Sequence, residues 1–312
     1  MSDGLYDQLP RRLKLRELRI LLAVADCGSF HGAARAIHVS QPAITSAIAS
    51  LEEALNVKLF DRTPQGVQPT QHGINFILRS RAIFGEIKLA VDEIAAASTG
   101  AQKVLHVGTV PLPASGILPV ALKQLHDQHP GIEVSVLEAS EQVLATALKA
   151  RRIDLFMSRI PRDTQDAAFT FETLYEDTLC VIANRNHPLA SRENLSFTDL
   201  KDEAWVLPPA GSFFHDHIQR ALGKGGIPMP QPTMETLSAA VMHGLIGAGN
   251  YVGFSTWSVW SFNPLRPMLA QLNLALPAVR ASIGAVALKD RQIDSLGQSL
   301  IDGVRQLARD SQ

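Results

Sequence analysis

Through the first hundred residues apolar side chains recur every three or four positions; beyond that, short apolar runs alternate with helical stretches, so the chain changes character near residue 100. Leu15, Leu18, Leu22 and Ala25 fall on one helical face. Two further helix starts follow about eleven residues apart, Ser29 ahead of Phe30 and Ser40 ahead of Gln41 and Pro42. Each serine can accept hydrogen bonds from the orphan N–H groups of a first turn. Proline early in the second helix marks a beginning, because first-turn N–H groups have no intrahelical partner. Only His38 and Val39 remain for the turn. Ala33, Ala34 and Ile37 on the first helix, and Ala43, Ile44, Ile48 and Leu51 on the second, face inward with Val39 at the corner. Alanines at the crossing let the backbones approach, as a helix-turn-helix requires. Gln41, Pro42, Thr45 and Ser46 are left as a short polar surface that fits a DNA major groove. The plainer reading is a helical hairpin inside a larger core.

The segment K-L-F-D-R-T-P-Q-G-V-Q-P-T alternates around a Pro-Gln-Gly turn and predicts a hairpin wing. Leu59, Phe60 and Val67 would pack inward, leaving Arg62, Thr63 and Gln65 for the DNA backbone. Thr70 then caps a proline-free helix from Gln71 to about Ala97, with Ile77, Phe84 and Val91 in one heptad position and Ile87 and Ile94 in the other. So narrow a stripe suits a partner helix better than its own domain's core. The small-residue run A-A-A-S-T-G-A-Q-K that follows reads as a hinge.

From Val104 the order is strand (V-L-H-V-G-T-V), helix (Ser115 to His129), strand (I-E-V-S-V-L-E), helix (Glu141 to Arg151) and strand (D-L-F-M-S-R). This βαβ order predicts a mostly parallel sheet with helices on both sides. A second unit has strands at L-C-V-I-A, A-W-V-L and Y-V-G-F-S and helices near Phe213–Leu222 and Thr236–Ile246. S-I-G-A-V-A-L and the amphipathic stretch Ile293–Ala308 return to the first unit. Two such lobes bind ligands in the crevice at the carboxyl ends of their strands.

At 312 residues and 46% apolar composition, the chain can bury sizeable cores in two or three domains. No apolar run is long enough to span a bilayer, and the acidic, proline-bearing start does not resemble a signal peptide. A soluble, cytoplasmic protein without membrane attachment is expected. Cys27 and Cys180 fall in different domains, which argues against a disulfide framework or a metal site. A net charge of −1 gives no hint of nucleic acid, and residues 1–70 hold eight Lys/Arg against seven Asp/Glu, a balance of +1. DNA binding must then depend on where the charges sit. Arg35, Lys58 and Arg62 would line one side, with Arg11, Arg12 and Lys14 in an arm spanning residues 1–14; Arg16 and Arg19 read as a solvated face. With few phosphate contacts per half-site, two or more protomers are needed for tight binding.

The run from Leu15 to Gly73, L-R-E-L-R-I-L-L-A-V-A-D-C-G-S-F-H-G-A-A-R-A-I-H-V-S-Q-P-A-I-T-S-A-I-A-S-L-E-E-A-L-N-V-K-L-F-D-R-T-P-Q-G-V-Q-P-T-Q-H-G, resembles the winged helix-turn-helix of the LysR-type transcriptional regulators. The layout as far as Arg309 resembles that family's effector domain, so the likeness covers nearly the whole chain. It implies a winged helix-turn-helix over 1–70, a linker helix and hinge over 71–100, and an α/β effector-binding domain over 101–312. That domain would be periplasmic-binding-protein-like, with two Rossmann-like lobes, lobe I at about 101–161 and 268–312 and lobe II at about 162–267. DNA contact is implied for Ser29, Arg35, Ser40, Gln41, Pro42, Thr45, Ser46, Lys58, Arg62 and Thr63. Many relatives carry Arg or Lys where this chain has Ser46, so base reading would rest on Gln41, Pro42 and Thr45, with a shorter contact from Ser46.

The resemblance also places a small-molecule effector in the crevice. Matching loops supply Thr109, Val110, Pro111, Leu112 and Pro113; Ser140 and Glu141; Ser158 and Arg159; Pro209, Ala210, Gly211, Ser212 and Phe213; and Ser255 and Thr256. Hydroxyl residues at helix starts can bind a carboxylate through O–H and N–H together. Arg159 is the cation for a bidentate grip on a carboxylate or sulfonate, the alternative being a structural ion pair at the lobe crossover. T-V-P-L-P lacks the hydroxyl usual near Leu112, which points to an aromatic or partly apolar acid. Trp257 and Trp260 read as core aromatics. Implied partners are double-stranded operator DNA, the effector, RNA polymerase, and further copies of the chain in a homodimer or homotetramer; no cofactor is implied.

An enzyme or a ligand-binding protein of the same two-lobed fold, without a DNA-binding role, is the alternative. Its candidates are thin. Asp154, beside Arg151 and Arg152, reads as orienting a helix-to-strand turn. His215 and His217 stand two apart, diverge on a helix and read as surface residues. G-A-G-N-Y-V-G lacks the preceding strand and following helix of a dinucleotide fingerprint, and neither G-x-S-x-G nor a phosphate loop is present.

Overall fold

In a computed structural model, residues 13–64, 66–99, 104–160, 166–277 and 279–311 are described. The chain forms two compact units, Met1–Ala101 with Lys149–Arg152, and Gln102–Leu148 with Ile153–Gln312. The expected arm residues Arg11 and Arg12, the wing-tip Gln65 and hinge residues 100–103 lie outside the described residues. No described helix is long and apolar enough to cross a membrane.

The first unit holds α1 (Leu15–Cys27), α2 (Phe30–Ala36), α3 (Gln41–Leu55), β1 (Phe60–Thr63), β2 (Gly66–Pro69) and α4 (Gln71–Thr99). Ser29 and Ser40 cap α2 and α3, accepting from the Gly32 amide at 3.0 Å and the Ala43 amide at 3.4 Å. Ala33, Ala34, Ile44, Ile48 and Leu51 are buried as expected, but the inner face of α1 is not the expected one. Leu15 is exposed and Leu22 and Ala25 only partly covered; Leu18, Ile20, Leu21 and Val24 enter the core. The leucine-rich helix offers two overlapping apolar stripes, and the docking of α3 and the wing selects between them.

Glu52 on α3 ties the wing down. Its carboxylate accepts from the Leu59 amide at 2.8 Å, the Phe60 amide at 3.2 Å and Lys58 Nζ at 2.6 Å. Burial opposes its ionisation, yet the Lys58 ammonium and the two amides together hold the carboxyl below its ordinary range. The Val67 amide donates to Gly28 O at 2.8 Å, and a Cβ on Gly66 would stand 2.6 Å from that same oxygen. Thr70 Oγ1 accepts from the Gly73 amide at 3.0 Å and starts α4. Ile77 packs into the helix-turn-helix core, whereas further along the stripe Ile87, Val91 and Ile94 are 39%, 58% and 66% exposed.

In the second unit, β3 (Val104–Thr109), β4 (Glu133–Glu138) and β5 (Leu155–Arg159) are parallel neighbours. They are linked by α5 (Pro111–Ala114), α6 (Ile117–Gln128) and α7 (Glu141–Lys149). The helix expected from Ser115 to His129 is α6, and Pro111–Ala114 adds a short helical turn ahead of it. β6 (Phe169–Asn184) then runs across both lobes. The second lobe adds β7 (Trp205–Leu207), α8 (Phe213–Lys224), β8 (Pro232–Glu235), α9 (Ala239–Ala248), β9 (Val252–Thr256), α10 (Trp257–Phe262) and β10 (Leu269–Gln271). β11 (Arg280–Leu288) and α11 (Ser295–Asp310) close the chain on the first lobe.

The strand path is β4-β3-β5-β11-β6-β9-β7-β8, with β10 beside β6. The sheet is therefore mixed where a mostly parallel one was expected. Three parallel strands in each lobe are joined through β11 and β6, which run antiparallel to their neighbours. β6 pairs with β11 as far as Thr178 and with β9 from Leu179, so the lobes exchange at Asp177–Thr178. The return expected near residue 268 comes at Arg280 instead: Leu269–Gln271 pair with the end of β6, and Leu272 packs in the second-lobe core with Trp205 and Phe254.

Candidate functional site

Two surfaces hold the residues singled out above. On the first unit, Gln41, Pro42 and Ser46 are exposed along α3, and Thr45 is half-buried with its Oγ1 donating to Gln41 O at 3.2 Å. The hydroxyls of Ser29 and Ser40 are already engaged as caps. On the wing, Arg62 is exposed with its guanidinium 5.4 Å from the Phe30 ring centroid, and Thr63 Oγ1 donates to Gly66 O at 3.3 Å. Lys58 is paired with Glu52 but leaves 76% of its side chain in solvent. Exposed Arg35 borders an open cleft together with His31, His38 and Gln41. The two histidines carried no motif, since only folding sets α2 beside the start of α3.

Within the second unit a cavity of about 570 Å³ opens at the carboxyl ends of β3, β5 and β9. Local structure aims the loops into it. The Val110 amide donates to Met157 O at 3.1 Å, bending the chain after β3 over β5. Ser212 caps α8, accepting from the His215 amide at 3.3 Å while its hydroxyl donates to Pro209 O at 2.7 Å. Of the expected residues, Val110, Pro111, Leu112, Ser140, Glu141, Arg159, Ser212, Phe213, Ser255 and Thr256 line the cavity. Thr109 does not: it is fully buried, with Oγ1 donating to Val110 O. Pro209 is replaced in the wall by its neighbour Pro208, and Pro113, Ala210, Gly211 and Ser158 are not among the lining residues. Trp257 and Trp260 pack against the two cores, as expected.

Arg159 ends β5 with its guanidinium 4.1 Å from the Phe213 ring centroid. Its Nε is buried without a hydrogen-bond partner among the described residues. Desolvation lowers its pKa, Glu141 opposes the shift and Arg220 adds to it. Glu141 is itself engaged, accepting from Ser158 Oγ at 2.5 Å. The structural ion pair considered for Arg159 is therefore absent from the described geometry.

Three titratable lining groups were not foreseen. Asp177, at the strand exchange, accepts from the Ser258 hydroxyl at 2.5 Å and the Ser258 and Thr178 amides at 3.0 and 3.1 Å. Burial nevertheless pushes its carboxyl above the ordinary range, against those hydrogen bonds. His217, expected at the surface, is buried with its ring 6.2 Å from Phe213. His243 is buried 3.4 Å from Ser255 Oγ. Both imidazoles are lowered to about 4, by burial first and, for His217, by the positive charges of Arg220 and Arg159. The two-residue spacing of His215 and His217 correctly separates them around α8 but does not say which one turns inward.

These histidines make stability pH-dependent. Unfolded imidazoles bind protons below about 6.5, whereas in the fold both stay neutral down to about 4. Their contribution is fully present above about pH 6.5 and is lost as pH falls towards 4, because the unfolded chain then binds more protons. Denaturant midpoints measured from pH 4 to 7.5 should fall with acidity, and His217→Asn with His243→Asn should flatten the slope in that window. An unchanged slope would assign the dependence to the carboxylates.

A winged helix-turn-helix and a two-lobed α/β domain with a largely apolar cavity are the layout of a DNA-binding regulator with a ligand-binding domain. Residues 15–74 match the model of bacterial regulatory helix-turn-helix proteins of the lysR family, and residues 98–309 match the LysR substrate binding domain. The chain belongs to the LysR family and is a transcriptional regulator with an effector-binding domain, not an enzyme. It is 27% identical over 304 residues to the uncharacterized HTH-type transcriptional regulator YdcI of Escherichia coli K12, covering 97% of this chain and 98% of that one. It is 26% identical over 298 residues to PcaQ of Agrobacterium fabrum, covering 96% of each. Full-length CbnR complexed with its target DNA superposes with a TM-score of 0.65 at 24% identity, covering 94% of this chain and 99% of that one. Full-length OxyR C199D from Pseudomonas aeruginosa gives 0.64 at 20%, covering 94% and 97%. At these identities the structural likenesses concern the fold.

Proposed function

We propose that this regulator reads operator DNA with α3 and the wing and is switched by a small, anionic, partly aromatic effector held between its lobes. The observation that carries the effector's chemistry is Arg159: a guanidinium with an unpartnered, buried Nε, stacked on Phe213 at the wall of a cavity otherwise lined by groups such as Val110, Leu112, Met242 and Val259. A carboxylate would satisfy the fork and an attached ring would lie against the apolar wall. The hydroxyls of Ser140 and Ser255 offer further polar groups, while that of Ser212 is engaged by Pro209 O. For DNA, the support is the exposed Gln41-Pro42 start of α3 with Ser46 on the same outer surface, and a structural likeness to a protein solved with its target DNA. The exposed stripe Ile87, Val91 and Ile94 supports pairing of α4 with the same helix of a second protomer, so that a dimer or tetramer spans several half-sites.

Effector binding would act by favouring one arrangement of protomers, and hence one bend of the DNA, over another. Footprinting on DNA upstream of its own gene, across a salt series with benzoate and related aromatic acids present or absent, tests both halves. The expected result is a protected site that weakens with salt and changes in length or bending with one acid. Protection that no aromatic acid alters would remove the effector assignment, and no protection at low salt on this or other promoters would remove the operator assignment.

A further inference from the structure

We propose that the second lobe carries a separate site for a small dianionic oxyacid, a dicarboxylate or phosphate, in the cleft between the end of α10 and β10. The cleft has a volume of about 470 Å³ and shares no lining residue with the effector cavity. Its polar lining is Arg185, Trp260, Arg266, Gln271 and Asn273, with no Asp or Glu. Neither guanidinium has a carboxylate within 4.0 Å among the described residues, in a chain that holds 30 acids to 29 bases. Elsewhere Arg81, Arg192, Arg291 and Arg305 each find such a partner. Two unpaired cations bordering one concavity repel each other, and a divalent anion is the occupant that relieves them.

The site is held ready by contacts that leave its charge intact. The Arg266 guanidinium lies 4.5 Å from the Trp260 ring centroid, and its Nη1 donates to Ser261 O at 3.3 Å. Both contacts orient the side chain; neither neutralises it. The Arg185 amide donates to Met268 O at 2.9 Å, which fixes that residue's backbone beside the turn carrying Arg266. Trp260 Nε1 is buried and has no hydrogen-bond partner among the described residues. An unmet buried donor is costly, and the ring that carries it lies on the wall of the cleft beside Arg266. Leu269 and Leu272, nearly fully buried, form a firm floor. Gln271 and Asn273 are exposed and have amide groups to offer. The effector cavity, by contrast, offers one guanidinium alongside Glu141 and Asp177, a balance that disfavours a dianion there.

The full-length protein should be titrated by calorimetry with succinate and, separately, with inorganic phosphate. Saturable binding of either supports the site and names the source of the anion. In the Arg185→Gln, Arg266→Gln double variant the affinity should fall at least tenfold, while Arg159→Met should leave it within twofold. Both replaced arginines are exposed, so the fold should survive, and a circular dichroism melt of the variant checks this. No saturable binding of either anion, or binding that the double variant retains, would overturn the proposal, as would loss in Arg159→Met, which would place the anion in the effector cavity.

Discussion

Arg159→Met is expected to weaken binding of an aromatic monocarboxylate by roughly 30- to 1000-fold, about 2–4 kcal/mol, with effector-free operator affinity unchanged. Methionine keeps an unbranched apolar stem of similar length but removes the guanidinium, and with it both the charge and the stacking on Phe213. The loss should be large because the carboxylate would remain in a cavity with no other cation lining it and with Glu141 and Asp177 on the same walls. A desolvated anion without its partner costs several times what an exposed one does. Calorimetric titration of wild type and variant with the acid that alters the footprint measures the effect. Equal affinities would reduce Arg159 to a structural residue. Operator binding by the same samples, compared without effector, separates loss of the ligand from loss of the fold.

The second large effect lies on α3. Gln41→Ala and Thr45→Ala should each cost about 1–3 kcal/mol in specific operator affinity, roughly fivefold to 150-fold. Binding to unrelated DNA should be preserved. Neither residue is buried in the helix-turn-helix core, and the Ser40 cap that starts α3 uses the Ala43 amide, which both substitutions leave in place. The helix should therefore form in the variants, and effector affinity should not change. Arg62→Gln on the wing makes the contrast: its loss should be shared by all sequences and should lower the salt dependence, as removal of a phosphate contact does. A uniform loss from Gln41→Ala and Thr45→Ala would instead assign them to backbone contact, and simultaneous loss of effector binding would undo the division of roles between the two units.

The parts of this protein legible in its sequence are those written by short-range physics. Ser29, Ser40, Pro42 and Thr70 signal helix starts through bonds closed within three or four residues, and the structure has those helices where the signals fall. The carboxyl ends of β3 and β5 were legible for the same reason, since apolar runs end where the loop residues begin. The inner face of α1 was not, because L-R-E-L-R-I-L-L-A-V-A-D-C supports more than one stripe and only a docked partner distinguishes them. Nor was the length of β6: F-T-F-E-T-L-Y-E-D-T mixes polar and apolar positions and acquires strand character from β11, more than a hundred residues later, as the Thr170 to Ala287 hydrogen bond across 117 positions illustrates.

By itself, then, the sequence determined the order of elements, the helix-turn-helix and its outward polar edge, and the two-lobed α/β organisation. Tertiary structure alone decided the mixed sheet, the exchange of lobes at Asp177, the inward turn of His217 and His243, and the gathering of Arg185 with Trp260 and Arg266. The dividing line is the range of the interaction. Caps, turns and periodicity are settled among neighbours, whereas Asp177 is held by Ser258, 81 residues away, and no local pattern can encode a partner that only the closed fold supplies.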